Sequence, residues 1–234
     1  MKIVILNTAE RKGGAAVAAN RLLKALSVIP DTEVTMLVRD KDTDDPQVLS
    51  VNTSTYRKRL NKIRFIWERG VIYMANHFDR SRLFQVSIAN TGNDVSRHPA
   101  IREADIIHLH WINQGFLSLR DLHALQRLGK PIVWTLHDLW PATGICHYPD
   151  LCTRYQTQCQ QCPLLKKRPW ISLERLVYKR KSRLDFSQTT FVGCSQWIIR
   201  MAEKSRLLQK AAGFKAIPNP IDTTVFHPAD RLEA

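Results

Sequence analysis

The 234-residue sequence has no long hydrophobic run. Its longest apolar stretches are a handful of residues, such as 3–6, far short of the roughly 18 needed to span a bilayer, which excludes a transmembrane helix. No secretory leader opens it, because Asn7, Glu10, Arg11 and Lys12 interrupt the apolar start before a leader's core can form; a cytoplasmic protein is expected. Glycine (9) and proline (11) are sparse and no low-complexity tract occurs, which excludes collagen-like and disordered chains. Acidic residues are also in short supply: 21 Asp and Glu against 35 Lys and Arg leave a net charge of +14. That surplus favours an anionic partner, be it nucleic acid, anionic lipid or a phosphorylated metabolite. With 44% hydrophobic residues, the chain can bury a sizeable core, as one large domain or two small ones.

The basic charge concentrates in two segments, 56–69 and 166–183. The first holds Arg57, Lys58, Arg59, Lys62, Arg64 and Arg69 among Ile63, Phe65, Ile66 and Trp67. The second holds Lys166, Lys167, Arg168, Arg175, Lys179, Arg180, Lys181 and Arg183 among Trp170, Leu173, Leu176, Val177 and Tyr178. This is the composition of a basic amphipathic helix that rests on an anionic membrane. It equally suits a solvated helix that packs its apolar side on its own domain.

Residues 2–6 read as a strand covered on both faces, followed by Gly13-Gly14 and a helix over 15–26 in which Ala16, Ala19, Leu23 and Leu26 recur at helical spacing. A second strand at 34–38 completes a β-α-β unit. Residues 43–95 read only as mixed helix and loop. Beyond them come a strand at 106–110, a helix marked by Leu119, Leu122, Leu125 and Leu128, and a strand at 132–136. A strand at 191–194, a helix over 196–208 capped by Ser195, and a strand at 214–217 complete the pattern. The alternation predicts an α/β fold with a doubly wound parallel sheet.

In such folds ligands bind beyond the carboxyl ends of the strands. The Gly13-Gly14 turn lies there, and glycines let a phosphate or hydroxyl approach the N–H groups of the following helix, although no G-x-G-x-x-G fingerprint is present. His108, His110 and Trp111 end one strand; His137, Asp138 and Trp140 follow another. His110, His137 and Asp138 are expected to line one cleft with the glycine turn, His108 and His110 sharing a face, with a histidine exchanging a proton with a substrate hydroxyl and Asp138 orienting it or binding a hydroxyl. Singly, each histidine also suits a purely structural role. Cys146, Cys152, Cys159 and Cys162 crowd into one loop, 141–165. In a reducing compartment four such thiols suit a structural Zn²⁺; an iron–sulfur cluster, unligated thiols and His147 as a substitute ligand are the alternatives. Cys194 reads as an ordinary strand residue.

These residues resemble the retaining glycosyltransferases of family 4, also called group 1, whose two facing Rossmann-like domains form the GT-B fold. The resemblance runs through Gly13-Gly14-Ala15-Ala16, through 105–111 (Asp-Ile-Ile-His-Leu-His-Trp), through 131–141 with its His137-Asp138-x-Trp140-Pro141, and through Thr143-Gly144, the four cysteines and Pro163. It is nearest to the colanic acid and exopolysaccharide type. The resemblance implies transfer of a sugar, with retention, from a nucleotide diphosphate sugar to a lipid-linked or saccharide acceptor at the inner face of the cytoplasmic membrane. It implies that the Gly13-Gly14 loop faces the donor phosphates and the acceptor and that His137 contacts the reacting sugar; together with the strand-end reading above, this makes His137 and Asp138 the catalytic candidates and Gly13, Gly14, His110, Trp111 and Trp140 the substrate-binding ones. It further implies that 1–217 form the acceptor-side domain and 218–234 the start of an interdomain linker, with the donor-binding domain absent and the chain inactive alone. Two other readings remain: a non-catalytic acceptor-binding module that docks onto a separate donor-domain polypeptide, and a basic, zinc-containing nucleic-acid-binding protein, disfavoured by the split charge and the lack of a nucleic-acid motif.

Overall fold

The computed structural model describes residues 1–166 and 171–228. Seven parallel strands form one sheet, in the order β3-β2-β1-β4-β5-β6-β7. The strands are β1 (Lys2–Ala9), β2 (Glu33–Asp40), β3 (Val48–Ser50), β4 (Ile106–Leu109), β5 (Ile132–Leu136), β6 (Thr189–Gly193) and β7 (Gly213–Ala216). The main helices are α1 (Gly14–Ser27), α2 (Thr55–Ala75), α3 (Pro99–Glu103), α4 (Leu119–Gln126), α5 (Leu173–Lys181) and α6 (Gln196–Glu203). This is the predicted doubly wound α/β architecture. From β1 the chain builds outward through β2 and β3, then returns to place β4 on the other side of β1. The carboxyl ends of β1 and β4 therefore flank the point where the winding reverses.

The central strands are unbroken apolar runs because both faces are covered: six consecutive residues of β1, Ile3–Asn7 among them, are buried. One face packs on Ala19 and Leu23 of α1. The other carries the larger core, which includes Leu6, Leu109, Trp134, Leu136 and Phe191. The α4 start is fixed by a capping box in which Ser118 and Asp121 satisfy each other's backbone N–H.

Two elements lie within 43–95, expected only as mixed helix and loop, and both have a physical reason for being hard to read. Strand β3 is three residues long. Helix α2 spans 21 residues and its first two-thirds are inside out: Asn61, Glu68 and Arg69 face the protein, whereas Tyr56, Ile63, Ile66 and Trp67 are more than half exposed; Ile72 and Ala75 at its end join the core. Its inward charges are used locally. Glu68 accepts the Ile88 and Ala89 N–H groups and pairs with Arg69, which donates to the Leu83 and Val86 carbonyls. Together they shape 83–89, a segment without helix and with a single bridge, Val86 to Cys146.

The two basic segments separate in role. Of the first, Arg57, Lys58, Arg59 and Lys62 are exposed, whereas Arg69 is buried and Arg64 binds Asn61 and Asn93. In the second, Leu173, Val177, Tyr178 and Lys181 of α5 are buried, so this helix packs its apolar side on its own domain. Lys167, Arg168 and Trp170 lie outside the described residues. Among the described residues no helix is long and apolar enough to cross a membrane.

Candidate functional site

Gly13 is the N-cap of α1, with φ +93° and no side-chain cap, so a side chain at this position would be strained and the first-turn N–H groups face outward unclaimed. That turn opens onto a cleft of about 530 Å³ at the winding reversal. Lys12, Gly13 and Gly14 line it from the β1–α1 turn, Trp111 from β4, His137 and Asp138 from β5, and His147 and Tyr148 from the cysteine loop. A helix N-terminus and a lysine beside it suit an anionic group.

The end of β1 fixes the end of β4. Asn7 Oδ1 accepts the Trp111 N–H at 2.9 Å, and the Thr8 hydroxyl donates to the Trp111 and Asn113 carbonyls. Behind Trp111 runs a row of three histidines. His108 and His110 share one strand face, their ring centroids 4.7 Å apart, and His110 Nδ1 lies 2.8 Å from His137 Nε2. His108 Nε2 meets the Thr135 hydroxyl at 2.8 Å. Burial pushes all three pKa values down: His108 to about 4, His110 well below its ordinary 6.5, and His137 less far, since Asp138 opposes the shift. His137 is thus a neutral imidazole at neutral pH, a hydrogen-bonding and proton-exchanging group rather than a cation.

Asp138 is buried and committed to three donors. Its Oδ2 accepts from the Trp111 indole at 2.9 Å and His147 Nδ1 at 2.6 Å, and its Oδ1 from the Trp140 N–H at 2.8 Å. Burial alone would raise its pKa, but the His147 contact and the two other donors outweigh it and keep the carboxyl below the usual range. An ionised carboxylate only accepts, so His147 carries its proton on Nδ1; its Nε2 lies 3.0 Å from Ser87 Oγ. Tyr148 donates its hydroxyl to the His137 carbonyl at 2.9 Å.

The cleft therefore gathers Gly13, Gly14, Trp111, His137 and Asp138, whereas His110, expected beside them, does not line it. His110 stands behind His137, 3% exposed, with Nε2 lacking a hydrogen-bond partner. Trp140 is in the core at 2% exposure, its indole donating to the Ser87 carbonyl, so it supports the cleft from beneath. His147 has both ring nitrogens engaged and is not available as a thiol substitute. Ser87, Tyr148 and the Glu68–Arg69 pair escaped the sequence reading; the adjacent opposite charges on one helix were the only signal of the pair.

Cys146, Cys152, Cys159 and Cys162 are free thiols around one cavity of about 20 Å³. Burial raises the Cys159 and Cys162 pKa values to about 11 and about 12. Among the described residues no group of three or more His, Cys, Asp or Glu side chains already has the arrangement of a metal site. Cys194 is half-buried, one residue beyond β6.

No family model matches the chain. It is similar to a protein of Escherichia coli strain K12 described as a putative colanic acid biosynthesis glycosyl transferase, WcaC, with 29% identity over 101 residues. The match covers 40% of this chain and spans about a quarter of that protein's length.

Proposed function

We propose that the chain is the acceptor-side part of a retaining glycosyltransferase of the family 4 type, acting in the assembly of an exopolysaccharide or other cell-surface polysaccharide. The observation that carries this reading is the cleft at the β1/β4 winding reversal, where an uncapped glycine turn with Lys12 faces neutral His137 across 530 Å³. Likeness to a putative glycosyl transferase supports the same reaction class. A nucleotide diphosphate sugar presents phosphates to the α1 N-terminus, and its hexose lies toward His137. The side chain of His137 binds or exchanges a proton with a sugar hydroxyl. Asp138, saturated by its donors, acts as a positioning residue that holds Trp111 and the 147–148 segment. In this reading the rest of the donor site comes from a second unit.

The acceptor, a lipid-linked or plain saccharide, is met at an anionic membrane. Helix α2 supports this part: it exposes Tyr56, Ile63, Ile66 and Trp67 beside Arg57, Lys58, Arg59 and Lys62. Phe84, which lines the cleft, stacks on Phe65 of α2 at 6.5 Å, so the apolar face runs on into the cleft. In this reading the protein is a peripheral one on the cytoplasmic face.

The test is transfer by the full native enzyme carrying His137→Ala, with a panel of nucleotide diphosphate sugars and membrane lipid extract. A loss of about 10²-fold or more, with unchanged circular dichroism, is expected. Wild-type turnover in the variant removes His137 from the mechanism, and an inverted product anomer refutes retention.

A further inference from the structure

We propose that Cys146, Cys152, Cys159 and Cys162 hold one tetrahedral zinc ion that braces the 141–165 loop. The four thiols come from separate points of a segment whose described residues contain two short 3₁₀ turns and no strand, yet all four line one cavity. At about 20 Å³ that cavity admits a single ion or water and nothing larger. A water needs several good hydrogen-bonding partners, and thiols are weak ones; a soft cation is the guest that sulfur suits.

Three further features suit an anionic thiolate cluster. First, backbone N–H groups point at sulfur: Gly144 N–H donates to Cys159 Sγ at 3.2 Å, and Leu164 N–H donates to Cys162 two residues before it. Such donors are the usual outer support of metal-bound thiolates. Second, Lys181 is fully buried and makes no ion pair with a carboxylate among the described residues. Its amine donates to the Trp140 and Thr143 carbonyls and lies within electrostatic reach of Cys146, Cys159 and Asp138, while burial pulls its pKa down to about 7. Asp138 supplies one negative charge, and four thiolates on Zn²⁺ would add two beside it and hold the buried amine in its charged form. Third, Glu174 is buried on the same cavity with Oε2 lacking a hydrogen-bond partner. It can receive a hydrogen bond or approach the ion itself.

The thiols as placed do not yet meet at one point. Holding the ion requires the four side chains to turn toward one point at the roughly 2.3 Å Zn–S bond length, a rearrangement the spectrum below tests directly. The consequence for the cleft is direct, because His147 and Tyr148 lie between the first two cysteines.

The experiment is elemental analysis of the full chain, purified without chelator or immobilised metal, followed by replacement with Co²⁺. About one zinc per chain is expected, together with thiols that react with a disulfide reagent only after chelation, and a cobalt spectrum with intense thiolate charge-transfer and tetrahedral d–d bands. Cys159→Ser and Cys162→Ser should each lower both metal content and Tm. Metal-free protein with four reactive thiols overturns the proposal, as do iron with acid-labile sulfide or an octahedral cobalt spectrum. If the serine variants do not fold, the wild-type stoichiometry and spectrum still decide.

Discussion

Acid should destabilise this protein through its histidine row, and His108 gives the effect a size. Its pKa is about 4 in the folded chain against an ordinary 6.5. Between those values the unfolded chain binds a proton that the folded chain refuses. The folded-state advantage is complete above pH 6.5 and is lost as pH falls toward 4, at up to about 1.4 kcal/mol per pH unit. At about pH 5 this amounts to about 2 kcal/mol from His108 at full size, and about 1–2 kcal/mol is the expected loss. The adjacent His110 acts in the same direction. The assay is urea unfolding at about pH 7.5 and about pH 5 for wild type and His108→Gln, whose amide keeps a partner for the Thr135 hydroxyl. The acid-induced loss should be smaller in the variant by that 1–2 kcal/mol. Parallel pH curves for the two proteins would refute the reasoning.

Three other outcomes follow from the geometry. Asp138→Asn leaves three donors facing an amide with one acceptor oxygen and should cost about 2–4 kcal/mol by chemical denaturation; a cost near zero would show that the carboxylate network is not in place. Gly144→Ala puts a Cβ 2.9 Å from Cys159 Cβ and 3.0 Å from the Glu174 carbonyl, and should cost about 1–3 kcal/mol, with metal content falling in step. Ile63→Glu with Trp67→Glu should weaken binding to anionic vesicles at least about tenfold in sedimentation assays while leaving Tm nearly unchanged, because both side chains are exposed; equal binding by wild type and variant would detach α2 from the membrane reading.

Much of the sheet was readable because parallel strands buried on both faces are written as apolar runs: the expected strand at 132–136 coincides with β5, and Ser195 caps α6 as expected. The histidine row was readable for a related reason, since alternation along β4 places His108 and His110 on one face. Helix α2 was not, because hydrophobic periodicity locates an apolar face without saying whether that face looks inward, and over 56–67 it looks out. The expected helix over 196–208 ends at Glu203 and resumes as a 3₁₀ turn at Arg206–Leu208, with Ser205 capping the turn. Asp138 drew notice for its neighbours in sequence, yet its binding partners include His147, nine residues on, and through it Ser87, sixty residues from His147. Contacts of that range leave no local pattern.

The inward charges of α2 carry an engineering consequence. Arg69 grips 83–86 and reaches Ser87 at 3.4 Å; Ser87 meets His147, which meets Asp138, which holds Trp111. A chimera that swaps this surface helix for one of different membrane preference must import 83–89 and a matching 147 with it, or the graft will misplace residues it never touched. The transferable module is discontinuous in sequence, and a recombination boundary drawn at the helix ends would cut through it.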